Sequence, residues 1–274
     1  MIYYICNEKY SPPCEQFIYS KCNLSKDIMA APESKTEFFY TEKGLIAVGS
    51  PVKLLILNLL MEEPKSFDEI VRFTAKAKST ISVHLNNLKA CELVEENYDP
   101  EDRRRKIYSL TSRYMGCSQE PFIEHYNSLL RTVAANGNDR FYFNETLFHA
   151  LHFGFEAYGI DNAPVVKLIG NDIGKYLSSN FEAETPDELL IEIAGFLEFH
   201  GNCRVSVLLR NSPSLKIEDD FNARLMPVIG KPFCTLKEGI IEGILKEKLG
   251  KECSVLETEC YGTGHKHCLF ETTI

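Results

Sequence analysis

The chain has 274 residues, 44% of them hydrophobic, ten cysteines and a net charge of -9. That length suits two ordinary domains, and no apolar run approaches the ~20 residues needed to cross a bilayer. The start, MIYYICNEKY, lacks the basic residues and long apolar stretch of a signal peptide, so a cytoplasmic protein with no membrane partner is expected. The acidic total looks unsuited to nucleic acid, but the charge is uneven. Residues 64–113 hold 10 Lys/Arg against 8 Asp/Glu, a net of +2, which leaves -11 elsewhere. Local charge decides phosphate contact. In a reducing compartment ten cysteines point to metal ligands or redox-active thiols before structural disulfides.

Residues 1–44 carry Cys6, Cys14 and Cys22, eight apart, with Pro12-Pro13 breaking any continuous strand. They read as an N-terminal extension, with incidental thiols or a metal or disulfide role. From Pro51 the pattern sharpens. Ser50 is placed as an N-cap with Pro51 in the first helical position, and Val52, Leu54, Leu55, Ile56, Leu57, Leu59 and Leu60 make the helix apolar nearly all round. Ser66 and Glu69 form a capping box for a second helix, and residues 75–78 turn into a third.

That third helix is the candidate reading element. Ile81, Leu85 and Leu88 make its apolar stripe, while Ser79, Ser82, Val83, Asn86 and Asn87 form a small, polar opposite face. Leu93-Val94 begins a strand, residues 97–100 supply a turn, and residues 107–110 return as a second strand behind four cations. A polar-faced helix beside a basic hairpin fits a major groove. Residues 78–89 are therefore assigned to base edges, with Lys78, Thr80, His84 and Lys89 added to the face above. Arg103, Arg104, Arg105 and Lys106 are assigned to phosphates, whose counterions they would release. The partner implied is double-stranded operator DNA. A solvated amphipathic helix beside a charged loop is the plainer reading of the same residues.

Residues 114–138 read as a linker containing a helix that pairs subunits. Residues 139–274 read as helices near 147–158, 165–177, 186–200 and 236–249, with strands at 203–209, 252–259 and 266–272. The fold class expected is α+β: a winged helix-turn-helix over 45–113, then a domain with helices on an antiparallel sheet. Cys234, Glu257, Cys260 and Cys268 offer three thiolates and a carboxylate, a set that closes a four-coordinate zinc site. The rival chemistry is redox: Cys203 and Cys253, left over from that set, form a pair or attack its thiolates, with Cys234, Cys260 and Cys268 themselves oxidisable. Cys203 and Cys253 also read as ordinary buried residues. No nucleophile–base pair, phosphate-cradling loop or open catalytic metal motif appears, so no enzymatic activity is expected.

The run STISVHLNNLKACELV resembles the ArsR family of small repressors in spacing and order, over about residues 45–113. Cys91 departs from it, standing where the family usually has Gly, and the family's metal-sensing Cys-x-Cys is missing. The last domain resembles the four-vinyl-reductase family, whose phenol-responsive sensors bind zinc through a Cys, a Glu and two further Cys, in the order of Cys234, Glu257, Cys260 and Cys268. The two domains in this order resemble the MsvR-type redox regulators of methanogenic archaea. That resemblance implies a homodimeric transcription regulator that binds DNA when reduced and releases it when oxidised. The alternative is a small-molecule sensor with purely structural zinc, its pocket lined by Phe and Leu of residues 145–158 and 186–199.

Overall fold

The computed structural model describes residues 35–102, 104–136, 140–201, 203–209, 212–219, 226 and 228–274. Cys6, Cys14, Cys22 and Arg103, which figure in the sequence reading, lie outside them. The chain divides into two units between Gln119 and Glu120.

The first unit is built around α1 (Pro51–Glu62), whose Leu54, Ile56, Leu57, Leu59 and Leu60 are buried. Helices α2 (Phe67–Thr74) and α3 (Lys78–Ala90) pack on it through Ile70, Ile81, Leu85 and Leu88. The capping box forms as expected, with the Ser66 N–H donating to Glu69 Oε2 at 2.8 Å. Ala75 takes the left-handed conformation (φ 51°) that turns α2 into α3. Strand β3 (Lys65–Ser66) pairs with β5 (Lys106–Leu110), which pairs with β4 (Val94–Tyr98) to form the wing. At the α3 exit the left-handed residue is Glu92 (φ 57°), one later than the family pattern placed it. Cys91 has φ -88° and is disulfide-bonded.

Two elements go beyond the sequence reading. Strands β1 (Glu37–Thr41) and β2 (Gly44–Val48) form a hairpin, and β1 pairs on its other side with β6 (Arg113–Ser118). Phe39 of β1 is fully buried against the helical core. Part of the segment read as an extension thus belongs to the first unit, and so does the start of the segment read as a linker.

The second unit contains α4 (Ile123–Asn136), α5 (Arg140–Ala157), the short β7 (Ile160–Asp161), α6 (Ala163–Leu177), α7 (Pro186–Gly201), β8 (Cys203–Leu208), β9 (Ser214–Asp219), α8 (Thr235–Leu249), β10 (Ser254–Glu259) and β11 (Cys268–Thr273). The last four strands form an antiparallel sheet in the order β10-β11-β9-β8. Its core joins Leu189, Leu190 and Ile193 of α7 with Ile241, Ile244 and Leu245 of α8 and Leu215, Ile217 and Phe270 of the sheet.

Helix α8 is fixed on two sides. A Cβ at Gly174 of α6 would lie 2.2 Å from the Ile240 carbonyl oxygen, and one at Gly239 of α8 would lie 2.2 Å from the Lys167 carbonyl oxygen. The two backbones therefore touch, and only glycine fits there. On the other side, α8 covers the edge strand β10. Glu238 accepts the Glu257 N–H at 3.0 Å, and Glu242 accepts the Val255 N–H at 3.1 Å. Lys167 neutralises both carboxylates and donates to the Val255 carbonyl at 2.8 Å. A sheet edge with open N–H groups invites foreign strands; here carboxylates occupy it. No helix among the described residues is long and apolar enough to cross a membrane.

These contacts set two expectations of opposite sign. Gly174→Ala forces the helices apart and destabilises the second unit by about 1–3 kcal/mol. Gly195→Ala, on the open side of α7 with nothing within 4 Å of its new Cβ, stabilises it by about 0.5–1 kcal/mol. Thermal or urea unfolding of the two variants checks both.

Candidate nucleic-acid interface and metal centre

Helix α3 presents Lys78, Ser79, Thr80, Ser82, Val83 and Asn86 to solvent; Val83, at 57% exposure, is a bare apolar side chain. His84 and Asn87 are half-buried. The His84 Nδ1 is enclosed without a partner, and burial, then the nearby Lys53 charge, lowers its pKa. It belongs to the packed side of the helix, not to the open face where the sequence put it.

The cations of the wing are less free than their run suggests. Arg105 reaches Glu69 at 3.0 Å, Ser66 Oγ at 3.2 Å and Asp99 at 3.6 Å. It thus ties the hairpin to the capping box of α2. Lys106 and Lys89 each sit 2.7 Å from Glu96, and together they hold that carboxyl down to about 2. Lys78 pairs with Asp68 at 2.7 Å. Arg104 is exposed at the tip, where its N–H donates to Asp102.

The sulfur-rich centre lies where the N-terminus of α8 meets the β10–β11 hairpin. Cys234 is the N-cap of α8, where the helix dipole favours a thiolate. Glu257 comes from β10, just before a bulge. Cys260 opens the single 3-10 turn Tyr261–Thr263, and Cys268 is the first residue of β11. Gly262 permits this closure: a Cβ there would meet the Lys231 carbonyl oxygen at 2.5 Å and the Phe233 ring at 2.6 Å. The segment before Cys234 thus lies directly on the hairpin turn.

All four residues are buried, with their candidate ligand atoms within 4.8 Å of one another. Cys268 Sγ lies 3.6 Å from Cys234 Sγ and 3.8 Å from Cys260 Sγ. A tetrahedron with metal–sulfur bonds of ~2.3 Å has edges of about 3.8 Å. Glu257 Oε2 accepts the Cys234 N–H at 2.9 Å, while Oε1 is buried without a partner. That free acceptor beside three sulfurs is what a cation would occupy, and the donor set suits zinc.

Without a metal the centre holds protons. Thiol donation from Cys234 and Cys268, aided by the Gly262 and Phe233 N–H groups, keeps Cys260 far below the ordinary thiol range. Cys234 is pushed up, first by its bond to Cys260. Burial and the Cys260 charge push Glu257 up to about 8. Lys237, one turn into α8, stands 3.5 Å from Asp219. Burial alone would lower it, but Cys234, Asp219 and Glu145 outweigh that and raise it. His265 and His267 turn away to Glu259, at 4.0 and 2.7 Å.

Cys203 and Cys253 do not form a pair. Cys203 faces Asp219 on β9, whereas Cys253 precedes Ser254, which faces Thr273 at the far end of β11. They stand on opposite sheet edges and at opposite ends. With strands ~4.8 Å apart and ~3.4 Å per residue along them, the gap is tens of ångströms, and a disulfide needs Cα atoms within ~7 Å. The expected apolar pocket also fails in part. Leu189, Leu190 and Ile193 are core, while Leu147, Leu151 and Phe155 point outward.

Residues 50–96 match the model for bacterial regulatory proteins of the arsR family, and residues 213–274 match that for the vinyl-4-reductase domain. An uncharacterized protein of Methanocaldococcus jannaschii is 28% identical over 117 residues, 42% of this chain and 67% of that one. Among solved structures, a vinyl-4-reductase family protein of the same organism is 19% identical, covers 39% of this chain and 66% of its own, and gives a TM-score of 0.31. The phenol-responsive sensory domain of the transcription activator PoxR, solved with phenol, is 17% identical over 71% of this chain and 90% of its own, with a TM-score of 0.32. The chain thus joins an ArsR-type helix-turn-helix, a module of DNA-binding regulators, to a sensory domain.

The raised Glu257 pKa has a signed consequence. Unfolded, this carboxyl releases its proton near 4.5; folded, it holds it to about 8. The unfolded state binds fewer protons between those values, so this residue's contribution to stability falls as pH rises through that window. In metal-free protein, the stability difference between wild type and Glu257→Gln should shift against the wild type from pH 4.5 to 8. Urea unfolding across that range measures it. Zinc, which displaces protons from its ligands, should bind more tightly as pH rises through the same window.

Proposed function

We propose that the chain is a cytoplasmic, homodimeric, redox-responsive transcription regulator of the MsvR type, binding operator DNA while its cysteines are reduced and releasing it on oxidation. The observation that carries this reading is the set of three sulfurs at 3.6 and 3.8 Å, in one chain with an ArsR-type reading head. Thiols so close serve as zinc ligands or convert to a disulfide with little movement. Zinc held by Cys234, Glu257, Cys260 and Cys268 would fix the start of α8 to the hairpin.

Oxidation by a hydroperoxide proceeds in two steps. The Cys260 thiolate attacks a peroxide oxygen, the O–O bond breaks, and the departing oxygen takes a proton as water or alcohol. The Cys268 thiol then attacks the sulfenic sulfur, forming the S–S bond and expelling water. Two thiols lose two electrons and the peroxide gains them. Any zinc bound there loses two ligands.

In the DNA-bound state, the exposed residues of α3 enter the major groove. Ser79, Ser82 and Asn86 lie nearest the bases, and Arg104, with Arg103 beside it in the sequence, contacts phosphate. Two such heads read half-sites ~34 Å apart, so a disulfide that shifts their spacing weakens binding. Arg105 acts instead by setting the wing.

Electrophoretic shift on the chain's own operator, found by selection from a random DNA pool, tests the reading. Peroxide should weaken binding at least ~10-fold, dithiothreitol should restore it, and Cys268→Ser should abolish the response. Equal affinity under reductant and peroxide would overturn it. Arg104→Ala should weaken binding to all sequences alike and lower the salt slope by about one, whereas Asn86→Ala should relax base preference.

A further inference from the structure

Helix α5 is turned inside out. Thr146, His149, His152 and Glu156 are each at most 5% exposed, whereas Phe143, Leu147, Leu151, Phe155 and Tyr158 are 37% to 74% exposed. The polar side is committed to the interior. Glu156 pairs with Lys231, and the His149 ring lies 5.9 Å from that of Phe233. Rotating the helix to hide its apolar side would break these contacts, so the apolar stripe stays outward.

The stripe recurs every three or four residues and runs about 22 Å along the helix. Its five side chains offer roughly 600 Å² of open surface, not far below the ~800 Å² that each partner contributes to a stable interface. The stripe carries no charge: between Phe143 and Tyr158 the only Asp, Glu, Lys or Arg residues are Glu145 and Glu156, half-buried and buried. In a chain of net charge -9, an uncharged apolar stripe is where two copies meet without like-charge repulsion. A two-fold interface needs one patch to complement itself, which an uncharged helix face does.

We propose that α5 is the homodimer interface, packing its Leu147–Leu151–Phe155 stripe against the same stripe of a second copy. This deepens the dimeric reading above and rests on it. It moves the subunit contact from the linker helix, where the sequence pointed, to the next helix of the second unit.

Sedimentation velocity of the full chain, reduced and without DNA, provides the test. The wild type should be a dimer. Leu151→Arg should raise its dissociation constant at least ~30-fold while leaving the circular dichroism spectrum unchanged. Tyr158→Arg, at the most exposed position of the stripe, provides the same test should Leu151→Arg misfold. A dimer undisturbed by either substitution overturns this interface and leaves the dimeric reading standing. A monomeric wild type, including one that co-sediments with phosphatidylcholine vesicles, overturns both.

Discussion

The seating of helix α8 is the constraint on which the second unit depends. Glycines at 170, 174, 239 and 243 bring it into backbone contact with α6, and Glu238 and Glu242 lock it along the edge of the sheet. Its first turn therefore has one allowed position. That position brings the Cys234 sulfur against the hairpin sulfurs and gives the Cys234 N–H to Glu257. The donor set is preorganised by helix packing and not by its own short loops. Side chains held in this way lose little freedom when a cation arrives.

Much of this is legible in the sequence, for identifiable reasons. The winged helix is written in local signals: Ser66 with Glu69, the Ile81–Leu85–Leu88 stripe and the turn after Tyr98. The four candidate ligands are legible as residue types, three of them close together on a predicted hairpin. What the sequence hides is set by long-range partners. Strand β9 (SLKIED) escapes notice because lysine and acids share its outer face, and only its neighbours β8 and β11 make it a strand. The β1–β2 hairpin is hidden in the same way, since β1 acquires its meaning from β6, more than seventy residues on.

Charge misleads for a related reason. Arg103 to Lys106 look like a phosphate clamp as a string, but Arg105 and Lys106 have carboxylates waiting in Glu69, Asp99 and Glu96. Helix α5 misleads in the opposite direction. Its Phe and Leu spacing reads as a core stripe, and nothing local reveals that His149, His152 and Glu156 take the inner side. Cys203 and Cys253 look like partners while only their residue type is visible, and sheet order separates them.

The lightly charged reading head also bears on how such a protein finds its site. Most of its basic groups already hold carboxylates of the same module, so few are left to release ions from bulk DNA. Residence on arbitrary sequence is then brief, and the molecule spends its search time in free solution instead of sliding along the chromosome. Discrimination falls mainly to the uncharged tip of one helix, and a small displacement of that tip is enough to lose the address.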